Sequence, residues 1–594
     1  MPTAESRQDL PASRSGSESC TGGRAQRRRA WAALALVLAA ALALRLWGVA
    51  TGLPYVYNID EAGHFVPKAV QTFAPGSGLN PRYFVNPPAL TYVLHAVFAV
   101  WFGGGGGVLR AYRTHPDHVF LLGRVVVAVL GTGAVWLLYL LGARLFCRGA
   151  GLLAAAIEAV AFLPVFYGHF ALNDAATLLP LTLSLYGSAG ILRHGRRRDY
   201  ALAGVGLGLA CASKYTAGIA LVPLLAAAGA RYLDVEDSPP ALAPTLVGLA
   251  LAGACALGAF LIANPYALLD FSRFRSELIH QSSLSEEAQG KLGAPKQGGI
   301  LYYLWSLTWG LGWVPAVAAL AGAVAIWRRD ARAGWLLVPA PLLFLAFMGL
   351  QDRYFGRWLL PIFPILALLA AWFALALTRV LVVSFRRGRA LRTVAIAVFV
   401  VLLLAQGLRY SAHGDAVLAR ADTRDVTRAW MLAHVPRGTP IVLEPVVLDA
   451  WLHESPSSVK ERWRKYPSLL SVIAPDGALA PQESHEVALE DYETTLSPAL
   501  LEWYEQQRYC WVISGSTESG RSLVDPGAAP HASAYYRALA SPARARVALS
   551  VSPYARGTRP PSFGFDWSFD YYPLAYRNPG PQMTVYRLLG PRCR

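Results

Sequence analysis

Long apolar runs recur along the first two-thirds of the chain, and short polar loops separate them. Most runs come close to the roughly 20 residues that an α-helix needs to cross the hydrocarbon core of a bilayer. The pattern predicts a polytopic α-helical membrane protein with about eleven spans. The predicted spans are residues 31–50, 124–142, 151–168, 175–192, 200–213, 216–232, 244–263, 301–327, 334–349, 357–377 and 391–408.

Basic residues indicate how these spans are oriented. With the N-terminus inside, four of the five inner loops are densely basic, as expected of cytoplasmic loops. An apolar patch at 89–102 is short and interrupted, and counting it as a span would invert every later loop. We therefore predict a helix that lies in, or dips into, the membrane interface at this patch. The inner loops are 144–148, 193–198, 231–244, 328–332 and 379–392.

Composition divides the chain into three parts. Residues 1–30 are polar and rich in Ser and Arg, which predicts a disordered cytoplasmic tail. Residues 31–408 are the predicted transmembrane domain, with a large outer loop at 51–123. Residues 409–594 are mixed in composition and predict a small α/β domain on the outer face. Its strands are expected at Pro440–Pro445, Tyr509–Ser514 and Met583–Leu588, and an amphipathic helix at Asp425–His434.

Overall composition agrees with a membrane protein and argues against two other classes. The 594 residues are 54% hydrophobic and only 15% charged, and the mean hydropathy is +0.36, which no ordinary soluble domain matches. The net charge of +17 comes from arginines placed at the ends of apolar runs, so it orients spans and predicts no nucleic-acid partner. Cys510 and Cys593 are expected either to form a disulfide, if their region is extracytoplasmic, or to remain free thiols.

An acidic pair, Asp60-Glu61, follows the first predicted span, and His64 lies four residues after Asp60. A carboxylate at the membrane boundary can act as a general base towards a hydroxyl or amine, or hold a divalent cation. On a helix, Asp60 and His64 would share a face. The alternative is that Asp60 caps a helix and Glu61 occupies its first turn, without any function.

Two further candidates lie in short outer turns. Asp174 follows Asn173 between two spans, and the predicted topology puts it on the same face as Asp60. Lys214, in the sequence Ser213-Lys214-Tyr215-Thr216, interrupts a stretch without other charges, and its ammonium group can bind a phosphate. The alternatives are a helix cap for Asp174 and an interfacial lysine that reaches towards water for Lys214.

Two longer outer segments complete the candidates. Arg353 and Arg357 are four residues apart among aromatic residues, and arginine suits bidentate contact with phosphate. The alternative is an ordinary interfacial aromatic belt. The loop that contains Tyr266, His280 and Gln281 is rich in polar groups and predicts a substrate-binding segment, or else a plain surface loop. The sequence has no nucleotide-binding or zinc-type motif, so ATP-driven transport has no support.

Together these segments resemble the GT-C glycosyltransferases of the protein O-mannosyltransferase and aminoarabinose-transferase group, in particular its bacterial branch. The resemblance covers about residues 30–410. It rests on motifs in the family's order: Asp60-Glu61, Asn86-Pro87-Pro88, Arg124, Asp174, Ser213-Lys214-Tyr215-Thr216, Asn264-Pro265-Tyr266 with Phe271 and Phe274, and Arg353-Tyr354 before Leu360-Pro361.

The resemblance implies a reaction and roles for these residues. Such enzymes move a sugar from a polyprenyl-phosphate carrier to an acceptor on the outer side of the membrane, with inversion at the anomeric carbon. Asp60 would be the general base, and Glu61 and Asp174 would orient the acceptor or tune Asp60. The donor phosphate would be held by Lys214, Arg353 and Arg357, and the acceptor would be contacted by His64, Asn86, Tyr266, His280 and Gln281.

The resemblance leaves the metal and the acceptor open. The His or Glu-Lys that the family usually carries before the Pro-Pro pair is Asn86 here, so a divalent cation is possible but no ligand set is assigned. The expected partners are a polyprenyl-phosphate sugar, membrane lipid, and a protein, glycolipid or glycan acceptor. Low Lys beside high Arg, Ala and Gly suggests a GC-rich bacterial genome, so the expected carrier is of the undecaprenyl type and the expected location is the bacterial inner membrane. The alternatives are a transporter or flippase of lipid-linked sugars, and a membrane-anchored scaffold or sensor.

Overall fold

The structure is a computed structural model. It describes residues 24–233, 242–286, 298–351, 353–384, 389–444, 463–465, 472–473, 479–480, 496–561 and 572–593. Most of the predicted cytoplasmic tail lies outside these residues, and the first described helix begins at Arg24. Asp352 and Pro445 also lie outside the described residues.

The part of the chain that precedes the C-terminal region contains helices and, in the described residues, no strand. Its first seven helices are α1 (Arg24–Leu46), α2 (Ile59–Gly63), α3 (Phe65–Gln71), α4 (Ala89–Trp101), α5 (Gly105–Thr114), α6 (Pro116–Leu145) and α7 (Arg148–Val160). The next seven are α8 (Phe162–Phe166), α9 (Asn173–Ala176), α10 (Leu178–His194), α11 (Arg197–Ser213), α12 (Leu221–Tyr232), α13 (Leu242–Ala263) and α14 (Tyr266–Leu269). The last seven are α15 (Phe271–Glu286), α16 (Gly299–Leu307), α17 (Trp313–Arg329), α18 (Ala331–Leu337), α19 (Pro339–Gly349), α20 (Phe363–Ser384) and α21 (Arg389–Leu418).

Short turns of other helical types interrupt this series. The 3-10 turns are Tyr167–His169, Tyr215–Ala220 and Gly356–Ile362, and a π-helical turn covers Thr308–Gly312. Local sequence explains several helix ends. Pro116 occupies the first turn of α6, where its missing N–H has no intrahelical partner to lose. Gly195 ends α10 with a φ of +63°, which a residue with a Cβ rarely adopts.

The polytopic helical architecture is confirmed, but the number of spans differs from the prediction. In the described residues, eight helices are long and apolar enough to cross a membrane, or up to ten if each of two bent helix pairs is one span. Nine predicted spans coincide with these helices or with the bent pair at 148–169. The predicted span 200–213 is the shorter α11, and 216–232 begins with a 3-10 turn before the 12-residue α12.

The apolar patch at 89–102 forms α4, which is followed by α5 at an angle of 95°. The Gly103–Gly107 run provides the corner, where Gly103 and Gly104 both have positive φ. This conformation is open to glycine without steric cost. A broken helix agrees with the expectation that the patch does not form a simple continuous span.

Small residues let the membrane helices approach closely. A Cβ atom on Gly204 would lie 2.2 Å from the carbonyl oxygen of Ala252, and one on Gly208 would lie 2.1 Å from that of Ala256. These two glycines, four residues apart on α11, therefore bring its backbone against α13. The main core of the protein lies among α6, α7, α10, α11, α17 and α20.

The C-terminal region is a mixed sheet flanked by helices, as the sequence predicts. Its helices are α22 (Thr423–His434), α23 (Ala499–Gln506), α24 (Ser516–Val524) and α25 (Pro530–Leu539). Its strands are β1 (Thr439–Leu443), β2 (Trp463–Lys465), β3 (Val472–Ile473), β4 (Leu479–Ala480), β5 (Trp511–Gly515), β6 (Ala545–Val551) and β7 (Met583–Leu588).

The sheet order is β2-β1-β5-β7-β6, and the separate strands β3 and β4 form an antiparallel pair. β1 is parallel to β2 and β5, whereas β7 is antiparallel to β5 and β6. Hydrophobic clusters cover both faces, which explains why every residue of strand β5 is buried. A disulfide joins Cys510 and Cys593, which decides between the two alternatives left open by the sequence.

Candidate functional site

The acidic pair lies on α2, a five-residue helix directly above the first span. Asn58 is its N-cap, and the Asn58 side chain accepts a hydrogen bond from the backbone N–H of Glu61 at 3.1 Å. Asp60 therefore does not cap the helix, because a residue two positions earlier does so. The functionless alternative considered for Asp60 loses its main support.

Glu61 is fully buried and forms an ion pair with Arg124 of α6. Two hydrogen bonds of 2.8 and 2.7 Å join the Arg124 guanidinium to the two Glu61 carboxylate oxygens. The backbone N–H of Ala171 donates to Glu61 at 2.8 Å, and Arg124 also donates to the carbonyls of Val49 and Thr51. The resemblance allowed Glu61 to orient the acceptor, but the Glu61 side chain has no exposed surface for a direct contact in this structure. Its geometry suits the bracing of α2.

Asp60 points away from Glu61 and keeps 38% of its side chain exposed. Its Oδ2 accepts a hydrogen bond from Arg357 at 2.7 Å, and its Oδ1 lies 3.7 Å from the His64 Nε2. Burial by the surrounding protein raises the pKa of Asp60, but the charge of Arg357, with His64 and Arg353, outweighs burial and lowers this pKa below its ordinary value. Asp60 is therefore an ionised carboxylate with partial access to solvent.

Asp174 extends this contact into a row of alternating charges. One carboxylate oxygen of Asp174 forms an ion pair with Lys214, and the other lies 4.0 Å from the Arg357 Nε. The order along the row is Asp60, Arg357, Asp174 and Lys214, and we call these four residues the charged row. They come from four separate segments that the fold brings to one place. The last three are largely buried, whereas Asp60 is the most exposed.

The neighbours of the charged row contact its arginine, its lysine and the adjacent Arg353. The guanidinium groups of Arg353 and Arg357 lie 5.3 and 4.5 Å from the centre of the Phe355 ring, within the range of cation–π contacts. The Asn173 side chain donates to the Ser213 carbonyl at 2.7 Å, which ties the Asp174 turn to the Lys214 turn. Arg353 therefore lies beside the row, in agreement with its electrostatic effect on Asp60.

The loop before α4 closes one side of the site through a tyrosine that the sequence reasoning missed. The rings of Tyr83 and His64 stack at 5.0 Å, and the Asn86 side chain donates to the Tyr83 hydroxyl at 2.7 Å. Asn86 is thus linked to Asp60 through Tyr83 and His64. No motif marks Tyr83, although an aromatic residue three positions before Asn86 is a weak signal for such stacking.

The remaining predicted residues lie apart from the charged row. Tyr266 is half-buried on α14, His280 is exposed on α15, and Gln281 is half-buried there. In the described part of the chain, no hydrogen bond or ion pair joins these three to the row. The same segment does contact the loop before α4, because Asn80 donates to Asp270 at 2.8 Å and the backbone N–H of Phe84 donates to Glu277.

A metal centre is not assembled in the described residues. Within these ranges, no group of three or more His, Cys, Asp or Glu side chains could hold a metal ion. Asp60 and Asp174 each have a cationic side chain as partner, so their carboxylates as arranged do not fit a divalent cation. No step of the chemistry below is routed through a metal.

Comparison with known families supports the resemblance that the sequence predicts. Residues 118–261 match the profile of a family described as dolichyl-phosphate-mannose-protein mannosyltransferase. This segment is about a quarter of the chain, and it contains Arg124, Asp174 and Lys214. No curated protein sequence matches the chain.

Three solved structures are similar to this fold. The archaeal oligosaccharyltransferase AglB from Archaeoglobus fulgidus, in complex with an inhibitory peptide and a dolichol-phosphate, has a TM-score of 0.51 and 13% identity, over 86% of this chain and 72% of that one. The apo oligosaccharyltransferase of the same organism has a TM-score of 0.52 and 14% identity, over 89% and 74%. ArnT from Cupriavidus metallidurans, bound to undecaprenyl phosphate, has a TM-score of 0.44 and 14% identity, over 83% and 94%.

At these identities the likeness to the two oligosaccharyltransferase structures shows the fold. The fold of this chain is that of the GT-C glycosyltransferases, as the sequence resemblance implies. Together with the family match over 118–261, it confirms the resemblance, while the bacterial branch stays a prediction.

Proposed function

We propose that this protein is a glycosyltransferase that moves a sugar from a polyprenyl-phosphate donor to an acceptor on the outer face of the membrane. The charged row is the observation that carries the proposal. It combines a partly exposed carboxylate with two cations, and the reaction needs a base for the acceptor and positive charge for the departing phosphate. The GT-C fold and the mannosyltransferase-family match support the same class of reaction.

Arg357 and Lys214, with Arg353 beside them, are the proposed phosphate ligands. The lipid of the donor lies in the bilayer, so its phosphate rests at the membrane boundary. As the bond between the anomeric carbon and the phosphate oxygen breaks, the polyprenyl phosphate keeps the electron pair and gains negative charge. Positioned cations stabilise such developing charge, and single groups of this kind often contribute 100-fold or more in rate.

Asp60 is the proposed general base. It would take the proton from the acceptor hydroxyl or amine as the acceptor atom bonds to the anomeric carbon, in a single displacement that inverts this carbon. In the free protein Arg357 lowers the pKa of Asp60, which makes its carboxylate a weak base. A donor phosphate that engages Arg357 would weaken this ion pair and so raise the pKa of Asp60. Donor binding would thereby activate the base.

The other acidic residues have proposed supporting roles. Asp174 holds Lys214 and faces Arg357, so it orients the two phosphate ligands. Glu61 braces α2 through Arg124. His64 and Asn86, joined through Tyr83, border the exposed side of Asp60 and would contact the acceptor. Tyr266, His280 and Gln281 lie further out and are proposed only as contacts to a larger acceptor.

The proposed location is a bacterial inner membrane, with the N-terminus in the cytoplasm and the C-terminal region outside. Dense basic clusters on the predicted inner loops support this orientation. The Cys510–Cys593 disulfide also supports it, because such bonds persist in oxidising compartments. The proposed partners are a polyprenyl-phosphate sugar, membrane lipid, and a protein, glycolipid or glycan acceptor. The dolichol-phosphate and peptide bound to AglB support partners of this kind.

The test is sugar transfer in reconstituted membranes. The full chain in proteoliposomes would receive undecaprenyl-phosphate mannose or undecaprenyl-phosphate aminoarabinose, each labelled in the sugar, with bacterial envelope extract as acceptor. Asp60→Asn removes the base with little change in shape and should abolish transfer at an unchanged protein level. Asp117→Asn is the matched control, because Asp117 is a carboxylate at the start of α6 that makes no contact with the charged row in the described residues.

The outcomes separate the proposal from its alternatives. Transfer by the wild type and the Asp117→Asn variant, but not by Asp60→Asn, supports the glycosyltransferase. Full transfer by Asp60→Asn overturns Asp60 as the base. Movement of the labelled donor across the bilayer without transfer favours a flippase instead, and neither transfer nor movement with any donor favours a scaffold or sensor.

A further inference from the structure

The segment Tyr55-Val56-Tyr57, directly before the cap of α2, connects the two parts of the protein. Tyr55 is 8% exposed and belongs to the hydrophobic core on one face of the C-terminal sheet, where Tyr57 also packs. Val56 lies between them but is 3% exposed in the core of the membrane domain. Successive side chains of this segment are therefore anchored in the two parts of the protein alternately.

Polar contacts strengthen the anchorage to the C-terminal region. The Tyr57 hydroxyl donates to the Asp425 Oδ1 at 2.5 Å, and the Arg424 guanidinium lies 3.7 Å from the centre of the Tyr57 ring. Arg428 lies 5.1 Å from the centre of the Tyr55 ring. All three partners belong to α22. Burial raises the pKa of Tyr57, so its phenol keeps its proton and remains a hydrogen-bond donor.

The backbone of this segment has an unusual conformation. Val56 has a φ of +52°, in the left-handed region that β-branched residues rarely enter. Such a residue keeps this conformation only where its surroundings hold it in place. Val56 packs in the core of the membrane domain, and the tyrosines on either side pack in the C-terminal cluster. The segment that these contacts hold leads directly into Asn58, the cap of α2.

We propose that Tyr57 is a positioning residue for Asp60, through which α22 of the C-terminal region fixes the segment that carries the general base. The inference rests on the proposed function of Asp60. Asp60 follows Tyr57 by only three residues, with Asn58 capping the helix between them. A shift of this segment by about 1 Å would disturb the 2.7 Å contact with Arg357, and errors of this size are costly to catalysis.

The first measurement is kinetic. Tyr57→Phe removes the hydroxyl but keeps the ring, and it should lower kcat about tenfold or more, as loss of a hydrogen bond to a charged group does. The KM for undecaprenyl-phosphate sugar should stay unchanged, because the phosphate ligands are untouched. Asp425→Ala should have the same effect, Asp425→Asn a smaller one, since Asn keeps an acceptor oxygen. Tyr92→Phe is the matched control, since the Tyr92 hydroxyl donates to the Leu79 carbonyl at 3.2 Å and, within the described residues, to no residue of α2 or α22.

A double variant tests whether the two residues act as one unit. If Tyr57 acts through Asp425, the double variant Tyr57→Phe/Asp425→Ala should be no slower than the slower single variant. Effects of independent residues would instead multiply. Hydrogen exchange of the full chain adds a readout that needs no activity: peptides covering residues 55–64 should exchange faster in Tyr57→Phe than in the wild type and in Tyr92→Phe.

The outcomes distinguish this inference from the proposed function. Unchanged exchange at 55–64 in Tyr57→Phe, or unchanged kcat in an enzyme that Asp60→Asn inactivates, overturns the positioning role. Multiplicative kinetic effects also overturn it. If Asp60→Asn retains full transfer, the base assignment fails by itself, and the exchange measurement still decides whether Tyr57 holds the segment.

Discussion

The contact between Arg357 and Asp60 makes a specific prediction about pH. A carboxylate with a lowered pKa stays ionised until the pH falls through that lowered value. In the wild type, kcat/KM for the donor should therefore stay flat down to about pH 4.5, since the Asp60 pKa lies below the ordinary value of about 3.9. Arg357→Gln removes the main stabilising charge but leaves the burial that raises the pKa, so the acidic limb should move to higher pH.

The structure sets the size of this shift. Two unit charges about 4 Å apart near a protein surface attract each other by about 4 kcal/mol, or about 3 pKa units at about 1.4 kcal/mol per unit. Asp60 is 38% exposed, so solvent screens part of this attraction, and we expect about one to two units. The acidic limb of Arg357→Gln should then lie about one to two pH units above the limb of the wild type. It should be measured in proteoliposomes, from initial rates at donor concentrations below KM, because kcat/KM reports ionisations of the free enzyme.

Three controls assign the limb to Asp60. Arg357→Lys keeps the charge and should keep the profile flat, whatever its effect on the rate. Arg544→Gln removes an arginine from an exposed ion pair with Glu502 in the C-terminal region and should change nothing. The acidic limb of Arg357→Gln should persist when His64→Gln is added, which excludes His64 as the titrating group. An acidic limb at the same pH in Arg357→Gln and the wild type, or a wild-type limb already near pH 6, would refute the reasoning.

Three other predictions concern the Glu61–Arg124 ion pair, the proposed phosphate ligand Lys214 and the disulfide. Glu61→Gln leaves the buried Arg124 without its carboxylate partner, which should cost about 3–5 kcal/mol of stability and lower the melting temperature in detergent. The double variant Glu61→Gln/Arg124→Met should melt at a higher temperature than Glu61→Gln. Additive losses of stability would contradict a stabilising ion pair between the two residues. Lys214→Met should lower kcat/KM for the donor by about 100-fold and Lys214→Arg by less, whereas equal losses would argue against a charge-based role. Replacing Cys510 and Cys593 by Ser should destabilise the C-terminal region by about 2–4 kcal/mol, visible as faster proteolysis. Treatment of the wild type with dithiothreitol should speed proteolysis to the same extent. Unchanged proteolysis in both samples would contradict a stabilising disulfide.

The sequence by itself determined the class of the protein and predicted the four residues of the charged row, because both depend on local signals. Apolar run length predicts membrane helices, since a span must bury its whole length in hydrocarbon. Basic loops then predict which turns share a face, and this put Asp60, Asp174, Lys214 and Arg357 together. Strands such as β7 followed from their β-branched and aromatic residues.

Span counts were less predictable. The segment 216–232 is apolar enough to suggest a crossing, but its first turn is a 3-10 helix and the α-helix that follows has only 12 residues. Hydropathy measures composition and is blind to such breaks. The corner between α4 and α5 was visible only as a run of glycines, because glycine permits a positive φ without requiring it.

Only the tertiary structure decided how the acidic residues divide their work. Asp60 and Glu61 are adjacent carboxylates of nearly equal chemistry, yet Glu61 is buried against Arg124 and Asp60 is partly exposed beside Arg357. Their partners lie 63 and 297 residues away in the chain, so no local pattern contains the pairing. The contact of Tyr57 with Asp425 spans 368 residues and is equally hidden. The sequence shows which groups are charged, but packing decides which of them keep access to water. Access to water distinguishes the proposed general base, Asp60, from Glu61, whose buried ion pair holds α2.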